Sequence, residues 1–165
     1  MNVRFKDGLT IRDASATDIT EIAINMRRSD IDEIWASHHH LPLKALTIAF
    51  YTSTLCFTAE YGGKRIAMFG VVPESFLGSR ASVWLLGTKD FAKASRNVIR
   101  HSRGMIRYLL QHYQHLTNYV DARNETSITW LRKCGAEIEE AKPFGEDKLL
   151  FHKFTFKRGA YALAS

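Results

Sequence analysis

Two hydrophobic periods take turns along this chain, and each switch marks an element. Leu9–Arg12 reads as a short strand that ends in the polar run Asp13-Ala14-Ser15. Ser15 followed by Asp18 resembles a capping box with Asp in place of Glu or Gln, and Ile19, Ile22, Ala23 and Met26 then mark one face of a first helix. Ser29 and Asp32 repeat that start signal, with Ile31, Ile34 and Trp35 facing a core from a second, short helix. His38-His39-His40 reads as the following loop, and Pro42 suits the first turn of a third helix carrying Leu46, Ala49 and Phe50.

The middle of the chain has the period of strands. In Thr54–Glu60, Leu55, Phe57 and Ala59 alternate with polar neighbours; Gly62-Gly63 supplies a hairpin turn, since two glycines reach positive φ without strain. Arg65–Val72 is almost continuously apolar, as a strand covered on both faces would be. Pro73–Ser79 reads as a loop and Ala81–Leu86 as the next strand. From Asp90 to about His112, Phe91, Val98, Met105 and Leu109 recur at helical spacing and predict one long helix. Thr117–Ala122 then has the composition of a buried strand. Asn124 can cap a helix bearing Ile128, Leu131 and Cys134, which Gly135 ends. Ala136–Ala141, a turn region at Pro143-Phe144-Gly145 and Leu149–Phe156 complete the pattern, with Lys157–Ser165 as a frayed tail. The order β-α-α-α-β-β-β-α-β-α-β-β predicts an α/β (α+β) fold: a mixed central sheet with helices on both faces.

Composition narrows the picture. At 165 residues, 45% hydrophobic and 12% aromatic, the chain suits a single domain with a packed core and does not suit disorder. The most apolar region, Leu46–Tyr61, is interrupted by Thr47, Thr52, Ser53, Thr54 and Thr58, so no membrane span is expected. Met1–Asp7 alternates charged and apolar residues and lacks the apolar core of a signal peptide. Cys56 and Cys134 fit free thiols of a reducing cytosol, with a disulfide between them as the alternative. Adjacent histidines do not converge on one metal from regular structure, and no zinc-finger spacing is present, so no metal site is expected; the histidine run could still offer a base titrating near neutrality.

Charge is concentrated. Lys93, Arg96, Arg100, Arg103 and Arg107 step by three and four residues along the long helix and form one cationic stripe. With Lys89, and against Asp90 alone, they carry most of the chain's formal net charge of +6. The stripe suits a solvated face, the phosphates of a nucleotide at its first turn, or a polyanion or acidic protein along Arg100, Arg103 and Arg107.

Asn124–Gly135, with its asparagine cap, apolar Ile128 and Leu131, and Lys133 shortly before Gly135, resembles the last helix of the GNAT acetyltransferases. Asp30–Trp35, Ile66–Val71, Trp84–Thr88 and Asn118–Asn124, continued by Pro143–Gly145 and by Phe151 and Phe154, resemble the internal virion protein family of short-tailed bacteriophages and prophages, itself GNAT-like in sequence. These resemblances imply a phage-encoded acyl-CoA N-acyltransferase that acts on an amine of a protein or small molecule. The alternative they imply is a non-catalytic internal virion or assembly factor that contacts a phage structural protein or nucleic acid. The place would be the host cytoplasm or the virion. The pantetheine arm of acetyl-CoA would enter a gap between the strands at Ala81–Leu86 and Thr117–Ala122, meeting the main chain of Leu85, Leu86 and Gly87, with Asn124 across the gap; plain helix capping is the other role for Asn124. The pyrophosphate would sit at the start of the long helix. The family's Arg/Gln-x-x-Gly-x-Gly/Ala loop is absent there, which leaves Lys89, Lys93 and Arg96. Leu131 stands where many GNATs carry a tyrosine that protonates the leaving thiolate, with Ser127 and Cys134 nearby as substitutes. Asp121, Asp30 and Glu33 are the candidate general bases; for Asp30 and Glu33, complementing the helix dipole is the simpler role.

Overall fold

The computed structural model describes residues 1–162. In chain order it contains β1 (Asn2–Arg4), β2 (Thr10–Asp13), α1 (Ala16–Ile24), α2 (Arg28–His38), α3 (Pro42–Thr52), β3 (Leu55–Tyr61), β4 (Lys64–Pro73) and β5 (Arg80–Gly87). A 3₁₀ segment (Lys89–Ala94) then leads into α4 (Ser95–His112), followed by β6 (His115–Asp121), α5 (Glu125–Lys133), β7 (Glu137–Ile138), β8 (Lys142–Phe144), β9 (Leu149–Lys157) and α6 (Arg158–Ala162).

Local chemistry sets the boundaries. Ser15 donates its N–H to Asp18 Oδ2 at 2.9 Å at the start of α1, Pro42 opens α3, and Gly62 and Gly63 turn the β3–β4 hairpin at φ +58° and +75°. Asn124 Oδ1 accepts the Ser127 N–H at 3.1 Å to start α5.

The sheet runs β1-β2-β3-β4-β5-β6-β9-β7, with β8 also paired to β9. Every pairing is antiparallel except β5 with β6, which is parallel. Parallel neighbours need a crossover, and α4 supplies it. α4 and α5 cover one face, burying Leu109, Leu116, Ile128 and Leu131 with Phe57 and Phe69. α1, α2 and α3 cover the other, where Ile22, Ile34 and Leu46 pack on Met68. β4 is buried throughout Ile66–Val71, as its apolar run predicts.

One polar anchor fixes α1 to this sheet. The fully buried Asp18 carboxylate accepts from Arg12 at 2.8 Å, Arg65 at 2.6 Å and Thr58 at 2.8 Å. Burial alone opposes its charge, but these donors and the Ser15 N–H outweigh that and hold the carboxyl far below the usual carboxylate range.

Several expectations change. The crossover helix begins at Ser95 rather than Asp90, because a 3₁₀ turn precedes it. α2 starts at Arg28 without a Ser29 cap, and it absorbs His38, with His39 in the left-handed conformation at its end. Asn2–Arg4 forms an edge strand against β2. Ala136–Ala141 contributes only β7, and of the turn region Pro143-Phe144-Gly145 the first two residues lie in β8 while the turn itself starts at Gly145; β7 and β8 both pair with β9. Arg158–Ala162 of the supposed tail is helical: Tyr161 is buried and donates its hydroxyl to the Cys134 carbonyl. Residues 163–165 of that tail lie outside the described residues. Both cysteines are free.

A candidate active site at the fork between two parallel strands

β5 and β6 pair only at Arg80–His115, Ala81–Leu116 and Ser82–Thr117. Beyond this they diverge toward their carboxyl ends, and Asn118 Nδ2 bridges the widening gap to the Val83 carbonyl at 2.8 Å. Successive residues of a strand turn their main-chain groups to opposite edges. Val83, Leu85 and Gly87 therefore face the gap, while Trp84 and Leu86 bond to β4 opposite Gly70 and Met68. The two ends of the gap-facing set are occupied: Val83 by Asn118, and Gly87 by Asp30 Oδ2, which accepts its N–H at 2.7 Å, and by the Arg27 N–H on its carbonyl at 2.9 Å. Leu85 between them presents its N–H and C=O to the open fork.

α2 fastens both prongs. One turn beyond Asp30, Glu33 Oε1 accepts the Asp121 N–H at the end of β6 at 2.6 Å. Spacing of three residues puts both carboxylates on one helix face, so Asp30 holds the tip of β5 and Glu33 the tip of β6.

A cavity of about 510 Å³ passes through the fork. Its α4–α5 side is lined by Val98, Ser102, Met105, Ser127, Trp130 and Leu131, with Trp130 Nε1 donating to Ser102 Oγ at 3.2 Å. On the α2–α3 side lie Asp30, Glu33, Ile34, Ile48, Tyr119 and Phe144.

The electrostatics separate the acidic groups. Burial pushes the Glu33 carboxyl up to about 7; the Asp121 N–H and the neighbouring Asn124 amide pull it down, and the charges of Asp30 and Asp121 push it further up. Asp30 is also raised by burial, against the opposing charge of Arg27, whose Nε lies 2.8 Å away. The Arg27 guanidinium in turn sits over the Phe91 ring, 4.7 Å from its centroid. Asp121 behaves oppositely: Arg123 bonds both carboxylate oxygens at 2.6–3.2 Å and holds its pKa below the ordinary value.

These observations sort the residues singled out in the sequence. Glu33, Ser127 and Leu85 are brought to the same cavity. Asp121 is buried and bonded to Arg123, which favours its charged form and engages both carboxylate oxygens. Leu86 and Gly87 line or border the gap, but their main-chain groups are spent on β4, Asp30 and Arg27, so neither can pair with an incoming chain. Asn124 keeps its capping bond, while its buried Nδ2 has no hydrogen-bond partner and lies beside Glu33. Leu131 is buried in the cavity wall. Cys134 is buried, its thiol pushed up mainly by that burial.

The phosphate end is built differently from a glycine loop. The amides of Thr88, Lys89 and Phe91 donate to Ile66, Asn25 and Thr88 carbonyls at 2.8, 2.9 and 3.0 Å. With those amides committed, an anion there depends on side chains. Lys89 and Arg96 are exposed, whereas Lys93 is paired to Asp90 at 2.6 Å, which Lys64 also reaches at 3.3 Å. Along the stripe, Arg100 meets Asp7 at 3.2 Å and Arg103 lies over the Tyr161 ring. Among the described residues no group of His, Cys, Asp or Glu could hold a metal ion, and no helix is long and apolar enough to cross a membrane. Sequence reading missed Asn118, Arg27 and the Tyr119–Phe144 stack (3.8 Å between ring centroids), because each acquires meaning only from a partner distant in sequence.

No protein-family model matches the chain, and no curated protein matches its sequence. Solved structures do match its fold. Ribosomal-protein-S5-alanine acetyltransferase from Vibrio fischeri superposes with a TM-score of 0.69 at 13% identity, covering 96% of this chain and 97% of that one. Spermidine N-acetyltransferase from Vibrio cholerae, solved with CoA and spermine, gives 0.64 at 13% identity over 94% and 98%. A GNAT-family acetyltransferase from Streptococcus pneumoniae gives 0.63 at 13% identity over 90% and 99%. The fold is therefore that of the GNAT acetyltransferases.

Proposed function

We propose that this chain is an acyl-CoA-dependent N-acyltransferase that works at the β5–β6 fork. The observation that carries the reading is the pairing of an unoccupied strand edge at Leu85 with a carboxylate, Glu33, poised near neutrality across the same cavity.

Acetyl-CoA would supply the acyl group as a thioester, whose carbonyl carbon takes the new bond to nitrogen as its bond to sulfur breaks. The residues present suit its pantetheine arm, for which the Leu85 N–H and C=O provide the strand-like pairing that β6 gives up after Thr117. They suit its phosphates less well, since Lys89 and Arg96 must act without an amide nest. Long flexible side chains lose more freedom on ordering than a preformed loop, so binding is weak and sensitive to salt.

Glu33 takes the proton that the amine nitrogen sheds as it bonds to carbon. A base whose pKa lies near the working pH serves this best. Asp30, neutralised by Arg27, and Asp121, neutralised by Arg123, keep their positions as fixed struts. The Ser127 hydroxyl, on the α5 side of the cavity, would supply the proton to the departing sulfur; Leu131 has none to give.

Thiol release from acetyl-CoA over a panel of primary amines tests this reading. Amine-dependent release that rises with pH through about 7 is the expected result. Release no faster than background with every amine would overturn it.

A second reading keeps the fold without turnover, as a phage internal virion or assembly factor held to a structural protein or polyanion. Its support is the exposed cationic face of α4, where Arg100, Arg103 and Arg107 all face outward, together with the apolar Leu131 and the committed amides at the phosphate end.

A further inference from the structure

The α2–α3 side of the cavity has a composition that selects among amines. Its walls are Ile34, Ile48, Trp84, Leu86, Tyr119 and Phe144. Trp84 is held by its Nε1 bond to Ser53 Oγ at 2.9 Å, and Tyr119 lies flat on Phe144, so these walls are fixed surfaces rather than loose chains. Two carboxylates enter this space. Asp30 is balanced by Arg27 at 2.8 Å and spends an oxygen on the Gly87 N–H. Glu33 has no cationic side chain in hydrogen-bond contact among the described residues, and uses Oε1 on a main-chain amide. Glu33 is thus the carboxylate of this pocket without a salt-bridge partner among the described residues, set among apolar and aromatic walls with His38 and His40 at the lining.

A ligand should match that balance. One ammonium or amine nitrogen at Glu33 satisfies it, and an apolar or aromatic body displaces water from the walls. A second cationic centre, as in a polyamine, would lie along Ile48, Trp84 or Phe144 with no second free carboxylate to meet it, and would give up the apolar contacts that a hydrocarbon or aromatic body makes there. Aromatic faces also attract a single ammonium near Tyr119 or Trp84. We infer that the acceptor is a primary monoamine on an apolar or aromatic carbon skeleton. This rests on the N-acyltransferase reading of the same site and narrows its substrate class.

Calorimetric titration without acetyl-CoA, at pH 8 and moderate salt, tests the inference on the full chain. Phenethylamine and hexylamine should bind at least about tenfold more tightly than spermidine. Glu33→Gln should remove that binding while the protein stays folded by circular dichroism. Ile48→Glu, at a position already 44% exposed, should shift preference toward spermidine by adding the missing second charge. Spermidine binding as tightly as phenethylamine, or no amine binding while acetyl-CoA still binds, would overturn the inference and leave the transferase reading standing. Monoamine binding with no acetyl-CoA binding would uphold the pocket and remove the transferase.

Discussion

Asn118 Nδ2 meets the Val83 carbonyl at 2.8 Å immediately beyond the last main-chain pair of β5 and β6. The same side chain accepts the Tyr119 N–H through Oδ1 at 2.8 Å. A side chain thus completes the ladder where the backbones have moved apart, and it sets where the fork begins. Asn118→Leu should leave the fold in place, cost about 1–2 kcal/mol in urea denaturation, and weaken acetyl-CoA binding by loosening the fork. An unchanged denaturation midpoint would show that the bridge contributes nothing to stability.

Glu33 links the site to pH. Its folded-state pKa, about 7, lies above its ordinary value of 4.5, so the folded chain holds a proton that the unfolded chain has lost. The associated stability is therefore complete below about pH 4.5 and is lost as pH rises through about 7, by at most about 3 kcal/mol. Glu33→Gln keeps an acceptor for the Asp121 N–H and should abolish this decline, leaving the variant more stable than the parent at pH 8. The same change should reduce thiol release by about 10²-fold or more. A variant with equal stability at both pH 5 and pH 8 relative to the parent would remove Glu33 from its assigned state.

Asp18 should show the opposite dependence. Its pKa is depressed in the folded state, so its contribution is present above the unfolded value near 4 and is lost only as pH falls toward the depressed value. Asp18→Ala leaves Arg12 and Arg65 partly buried without their shared partner. The expected loss is about 3–5 kcal/mol by denaturant titration; a loss below 1 kcal/mol would mean that Glu60 and Glu21 suffice to hold both guanidinium groups.

Ser127→Ala tests the proton route to sulfur. Thiol release should fall by about 10²-fold with acetyl-CoA affinity unchanged. Undiminished release would assign that proton to water.

The sequence made the locally determined parts legible. Asn124 and Gly135 mark α5 because capping and left-handed termination depend on a few adjacent residues. The Gly62-Gly63 hairpin and the doubly covered β4 are local in the same way. The 3₁₀ start of the crossover was not legible, since it follows from Thr88 and Lys89 being drawn to carbonyls at Ile66 and Asn25. Nor were the struts Asp30–Gly87 and Glu33–Asp121, which join residues 57 and 88 positions apart. Periodicity placed both carboxylates on a helix start and suggested dipole compensation; only the folded arrangement turns them onto strand tips. Tyr161 gave no tail signal because its value lies in the space above Gly135, where its hydroxyl lies 3.4 Å from the position of an added Cβ.

The cationic face of α4 can be separated from the cleft. Arg100, Arg103 and Arg107 lie along its outer side, and changing all three to Glu should abolish any salt-sensitive association with polyanions while leaving acetyl-CoA binding intact. Undiminished association in a salt-titrated pull-down would make the stripe a solvated face.

The most direct measurement on the fork is a ¹⁵N-resolved amide titration with acetyl-CoA at low salt. Binding between β5 and β6 should move the Leu85 amide resonance among the most strongly of all, with Gly87 much less affected because Asp30 already holds its N–H. A titration that leaves Leu85 in place and perturbs only the exposed face of α4 would contradict a pantetheine site in the fork.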